Sequence, residues 1–330
     1  MAMESANRPS PPGPLGQRKA EKIDRLAELA ATPPDERGGS VVQESFRRLR
    51  RSPMAIVGGA IIAVFVILAI IGPYIAPYHP IATIAIDQVR PGVIPGPSAE
   101  HWFGVDQLGR DVYSRILVGA RHSLLVGVVA TLIGFTAGAI IGGVAGAAYG
   151  LGGRVGRAID SVLMRFMDML LALPTLLLAA SVAAVIGRSL QAVMIAVGVA
   201  VVPIFARLLR GSMIAQAQRD YVLAAQALGV RRRKIVMAHV FPNSLAPVIV
   251  QATLTLAVAI IDAAALSFLG LGNPDTAVPE WGVMLAQAQG QIFTRPTLAV
   301  YPAVAIIIVA LGFTLLGEAM REALDPKLRR

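Results

Sequence analysis

Few residues in this sequence are placed to do covalent chemistry. The run GRDVYSRILVGARHS (109–123) brings Asp, Ser and His together, the residue types of nucleophilic acyl transfer. It lacks the G-x-S-x-G elbow that would present a nucleophile, and it reads as one exposed segment, so catalysis is not expected of it. Asp262 is a carboxylate near the outer end of an apolar run, where charges are rare and usually functional. It could meet a cationic amine in a translocation path, or hydrogen-bond and order the LSFLGLG turn that follows. Asp168, three residues after Arg165, suits an ion pair or helix cap rather than a proton relay. His239 has no second His or carboxylate spaced to share a metal, and the chain has no Cys. No G-x-x-x-x-G-K-[ST] loop is present to cradle a phosphate. The glycines of GAIIGGVAGAAYGLGG (138–153) repeat at four-residue spacing, Gly138, Gly142 and Gly146, with no strand before them. That favours close helix contact over a dinucleotide site.

These residues are set in a chain with membrane-helix composition: 55% hydrophobic, 15% charged, 5% aromatic and 32 Gly in 330 residues. Six stretches lack Asp, Glu, Lys and Arg: 52–86, 122–153, 169–187, 189–206, 235–261 and 296–317. Each reaches or approaches the roughly 20 residues that cross a bilayer, so an all-α integral membrane protein with six transmembrane helices is expected. Pro174 and Pro203 mark kinks or ends within the third and fourth stretches, which meet at a tight turn around Arg188. Residues 1–45 are Pro-rich and mixed in charge, and are expected to be a disordered tail without a secretory signal.

The net charge of +10 suggests nucleic acid only if its placement is ignored. With a cytoplasmic N-terminus, the inside segments hold 24 of the 30 Lys and Arg, and the outside segments hold 6. This bias puts both termini, and the segment from Asp220 to Lys234, in the cytoplasm. The first span then lies in 46–80, an extracytoplasmic loop in 81–118, five further helices in 119–320 and a short tail in 321–330. Trp102, Tyr113 and Trp281 in the outer loops would suit an interfacial aromatic belt.

The segment DYVLAAQALGVRRRKIVMAHVFPNSLAP (220–247) interrupts the apolar runs. A helix over 220–230 would start with Asp220 capping its amides and end at a left-handed Gly229. Leu223, Ala227 and Val230 would share a face, with Ala224 and Leu228 beside it. The basic run Arg231–Lys234 would lie just past the helix end, favourable to its dipole. Such a helix could enter a partner's groove or lie on an anionic leaflet.

This segment resembles the cytoplasmic coupling loop of permease subunits in ATP-binding-cassette importers. Ala224, Ala225, Gly229 and Pro242 stand at matching places, whereas Leu223 stands where that family usually has Glu. Over residues 40–328 the chain is similar to the C-type permeases of dipeptide and oligopeptide importers. The matching motifs are RRLRRSP (47–53), FGVDQLGRDVYSRILVGARHSLLVG (103–127), Asp168 with Pro174 and the Leu run after it, LSFLGLG (266–272) with Pro279 and Trp281, and LLGEAMREALDPK (315–327). That group often has Glu about one position past Asp262, where this chain has Ala263.

The resemblance implies a type I importer permease fold in a bacterial plasma membrane. It implies a heterodimer with a second permease and two cytoplasmic ATPase domains that hold ATP and Mg. An extracytoplasmic peptide-binding protein would deliver solute, and this chain itself would hold no cofactor, metal or catalytic residue. Tyr221, Leu223, Ala224, Ala225, Ala227, Leu228 and Gly229 would form the ATPase interface, with Asp262 as a candidate path or gate residue. The alternatives from other classes are a stand-alone secondary transporter or channel, and a membrane enzyme.

Overall fold

The computed structural model describes residues 47–90 and 93–324. The expected tail over 1–45 and the residues after Leu324 lie outside them. The chain divides into two units, 1–47 and 48–330, and every named helix belongs to the second. Among the described residues there is no β-strand, only the isolated bridges Arg90–Val93 and Val105–Asp111.

Helix α1 (Pro53–Ile75) is 23 residues long, about 34 Å, enough to cross a bilayer. Pro53 takes the first helical position, and the Ser52 hydroxyl accepts from the Ala55 amide. Helix α2 (Val112–Leu151) runs for 40 residues, about 60 Å, far longer than one bilayer core. It begins ten residues before the uncharged stretch, because Arg115 and Arg121 lie inside its first turns. Asp111 caps it by accepting from the Ser114 amide at 2.7 Å.

The third predicted stretch is not one helix. The chain reverses at Gly152 and Gly153, both at positive φ, and enters α3 (Gly153–Leu171), followed by α4 (Thr175–Ile186). A 95° bend separates α3 from α4. Pro174 causes it, since proline has no amide to donate and disfavours helix at the residue before it. Helix α4 has 12 residues, about 18 Å, too short to cross a bilayer alone, so the third stretch is a broken span or a re-entrant loop. Among the described residues five helices are long and apolar enough to cross a bilayer, and six candidate spans result when that pair is counted as one.

A tight turn at Gly187 leads to α5 (Leu190–Ala217), capped by the Ser189 hydroxyl. Helix α5 continues through Pro203 and carries Arg207 and Arg210 on its last turns. It is the most buried of the apolar helices, with Val193, Val197, Phe205 and Leu209 fully enclosed. The short α6 (Asp220–Ala227) and the long α7 (Arg232–Phe268) follow, the latter holding a π-helical turn over Val236–Val240. The chain then forms α8 (Trp281–Ala288) and α9 (Thr297–Leu324).

Helices α2 and α5 form the centre of the bundle. A Cβ on Gly138 would sit 2.7 Å from the Val202 carbonyl oxygen, and one on Gly142 would sit 2.3 Å from that of Ala206. Backbones approach this closely only where no side chain intervenes, as the four-residue spacing of small residues predicts. Helix α1 packs on α9 and α2, and α7 packs between α9, α2 and α5.

Candidate functional site

Helix α6 rests on one buried side chain and leaves most of the rest outside. Val222 is 3% exposed and joins Leu209, Met213, Ile235, Val236 and Val240 in a cluster made with α5 and the root of α7. Burying that valine contributes about 1.5–3 kcal/mol. Leu223 is 58% exposed and Leu228 83%. Tyr221, Ala224, Ala227 and Gly229 are exposed beside them, and the Tyr221 hydroxyl donates to Gln216 Oε1 at 3.2 Å. Ala225 is the predicted interface residue that turns inward, half-buried against the same cluster.

The end of α6 explains its shape. Gly229 has φ +73°, its amide donates to the Gln226 carbonyl at 2.9 Å, and the Val230 amide donates to the Ala225 carbonyl at 3.1 Å. These two bonds close a Schellman motif. The reversal carries Val230 inward, so it does not share the outer face of Leu223 and Ala227 as helical spacing predicts. Asp220 also departs from expectation. The cap position is Arg219, and Asp220 lies in the first turn without a capping hydrogen bond, so its contribution is to the helix dipole alone.

The basic run follows the end of α6, and Arg232, Arg233 and Lys234 also form the first turn of α7. Cations there oppose the positive end of the α7 dipole. Among the described residues, no carboxylate lies within ion-pair distance of any residue from Arg231 to Lys234. The ion pairs near this end join α3 to α5: Arg210 holds Asp160 in a two-pronged contact, with one bond of 2.7 Å, and Arg207 holds Asp168. The pair expected of Asp168 therefore forms with Arg207.

The opposite end is closed by loops. Asp106 accepts from the Leu108 and Arg110 amides and from Arg110 Nε at 2.7 Å. Arg110 also donates to the Thr276 carbonyl and to Gln287 Oε1. Arg115, 1% exposed, donates to the carbonyls of Pro80 and Thr276. Trp281 is fully buried, its indole donating to the Ile116 carbonyl and its amide to Ser123 Oγ, both at 3.1 Å. It is a core residue, not a member of an interfacial belt; Trp102, 59% exposed and packed on Tyr113, keeps the predicted exposure.

The Asp and Ser of 109–123 are absorbed by this architecture. Asp111 caps α2 and accepts from His101 Nδ1 at 3.0 Å, while Ser114 accepts from the Tyr78 amide. Asp111, Ser114 and Ser123 are buried, which corrects the expectation of an exposed segment.

The LSFLGLG turn is ordered without Asp262. Gly270 closes it at φ +80°, and Ser267 donates to Glu280 Oε1 at 2.7 Å. Asp262 is half-buried in α7 and makes no hydrogen bond or ion pair to a described residue. Next to it in sequence, Ile261, Ala264, Ala265 and Phe268 line an apolar cleft of about 430 Å³ with Leu285 and Ile306. Glu280 was not expected to matter. It is 2% exposed, its Oε2 has no partner among the described residues, and burial pushes its carboxyl above the usual range, with the Ser267 bond opposing.

Residues 138–330 match the family described as binding-protein-dependent transport system inner membrane component. The chain belongs to that family. Residues 40–90 match the N-terminal TM domain of oligopeptide transport permease C. The permease is 40% identical over 303 residues to the dipeptide transport system permease protein of Alkalihalophilus pseudofirmus, covering 90% of this chain and 94% of that one. It is 43% identical over 287 residues to a glutathione transport system permease protein of Shigella flexneri, covering 87% and 90%. In fold it resembles a chain of the MetNI methionine ABC transporter in an inward-facing form, with TM-score 0.52, 19% identity and coverage of 64% of this chain and 96% of that chain. The permease is thus a multi-pass, all-helical membrane protein with the importer permease fold.

Proposed function

We propose that this permease forms half of the translocation path of an ATP-driven importer of dipeptides or other short peptides. It would pair with a second permease and receive solute from an extracytoplasmic binding protein. Both termini and α6 would face the cytoplasm, where α6 would dock on an ATPase subunit that holds ATP and Mg. The observation that carries this reading is α6 itself, a short helix fixed by Val222 to the roots of α5 and α7 while Leu223 and Leu228 stand in the open. A push on α6 is delivered to both helices as a rigid-body motion, because root and helix share one packed cluster. Asp262, without a partner among the described residues and next in sequence to Ile261 of an apolar cleft, is the candidate path residue.

Likeness to dipeptide and glutathione permeases over nearly their whole length supports a peptide solute, and membership of a binding-protein-dependent family argues against a stand-alone carrier. Uptake of labelled dipeptides, oligopeptides and glutathione, compared in cells with and without the gene, tests the proposal. Uptake of at least one of these is expected to vanish with the gene and return on complementation. Unchanged uptake of all of them would contradict the peptide assignment.

A further inference from the structure

On the inward side of α6 lies a cleft of about 360 Å³. Its floor is apolar, made by Val222, Ile235, Val236 and Val240, each under 10% exposed. Its rim is basic. Arg157 comes from α3 and Arg232 from α7, and among the described residues neither has a carboxylate within ion-pair distance. The Arg232 guanidinium reaches across to the turn between α2 and α3, with Nη1 3.5 Å from the place a Cβ on Gly152 would take. Tyr149 and Gln226 add hydrogen-bonding groups to the walls. Arg232 stands at the wrong end of α7 for the helix dipole, so helix stability does not account for it.

The surroundings point to the chemistry of an occupant. Helix α3 exposes Val155, Ile159, Val162, Phe166 and Met169, spaced to form one stripe, and it turns 95° away from α4. A helix with such a stripe, with cations at its start, suits the boundary between acyl chains and water. The cleft therefore joins a basic rim to an apolar floor beside a helix suited to the boundary between acyl chains and water. Its volume falls within the range of pockets for small organic molecules and exceeds what a bare phosphate fills.

We propose that this cleft binds the phosphate group of an anionic phospholipid from the adjoining leaflet, held by Arg157 and Arg232 beneath α6. The bound headgroup supports the inward face of α6, so lipid composition sets how firmly the helix is held. The assignment does not depend on which solute the permease carries, and binding is measured separately from uptake.

The test uses the transporter assembled with its partners in nanodiscs of phosphatidylcholine with a fixed fraction of phosphatidylglycerol. Native mass spectrometry reads the phosphatidylglycerol retained after release. Each arginine near a membrane surface contributes about fivefold in affinity, so Arg157→Gln with Arg232→Gln is expected to lower retention by about tenfold or more. Lysine at both positions is expected to restore most of it. Gln226→Trp, which keeps both arginines but fills the cleft, is expected to lower retention as well. Millimolar glycerol phosphate in the buffer separates a lipid from a free anion and is expected to leave the retained lipid in place. Wild-type retention in both the double-glutamine and the tryptophan variants would overturn the proposal, as would glycerol phosphate binding the wild type with no lipid retained.

Discussion

At the Trp281 end of the permease, Arg110 and Arg115 are 3% and 1% exposed, and their guanidinium groups donate to Asp106, Gln287 and the carbonyls of Pro80 and Thr276. At the α6 end, the four cations from Arg231 to Lys234 have no carboxylate partner among the described residues, and Leu223 and Leu228 stand in solvent. One end pairs the guanidinium groups of its two buried arginines within the chain. The other leaves both charge and apolar surface open. Buried charges demand internal partners, so the first pattern marks a rigid closure. Exposed leucines beside a basic run mark a surface that another molecule completes.

The largest effect is expected where neither end is involved. Gly142→Val places a side chain against the Ala206 carbonyl and should force α2 and α5 apart, with little folded protein recovered from detergent extracts. Normal recovery would show that this contact is looser than described. Arg115→Met should cost about 3 kcal/mol, by leaving the Pro80 carbonyl without its donor and the Thr276 carbonyl and Asp106 with Arg110 as their remaining guanidinium partner. Thermal unfolding of the purified protein measures it, and an unchanged midpoint would remove the distinction between the two ends.

At the α6 end the costs should be local. Gly229→Val fits the open space around that residue but not its φ of +73°, a strain of about 1–2 kcal/mol. The protein should stay folded in the membrane while uptake falls to background, whereas retained uptake would show that the turn need not be held.

The smallest effect concerns Glu280. Its folded-state carboxyl is raised by burial, so its contribution to stability is present at acid pH and lost as pH rises through that raised value. Glu280→Gln should therefore be neutral or slightly stabilising near pH 7, and should flatten the pH dependence of unfolding.

Much of this architecture was legible in the residues. Long uncharged runs located α1, α7 and α9, and the glycine spacing located a close helix contact on α2, though not its partner α5. The Ala–Gly pattern located α6 and its left-handed end. Helix α3 was hidden because it carries five charged residues, although Val155, Ile159, Val162, Phe166 and Met169 repeat at helical spacing. The true start of α2 was hidden by Arg115, whose charge is met by carbonyls 35 and 161 residues away along the chain. Trp281 was misplaced for the same reason, since its partners Ser123 and Ile116 are 158 and 165 residues distant. Local patterns specify helices and turns, whereas burial of a polar or aromatic group depends on contacts that no local pattern holds.

On the function proposed above, the open face of α6 receives an ATPase and nothing inside the permease needs that face. Leu223→Asp with Leu228→Asp tests this most directly, read as peptide uptake alongside thermal unfolding of the same protein. Contact residues at the centre of an interface typically carry about 2 kcal/mol or more. The account predicts an unchanged unfolding midpoint with uptake reduced at least tenfold and the ATPase subunit lost from the purified complex. Wild-type uptake with the ATPase still bound would contradict it.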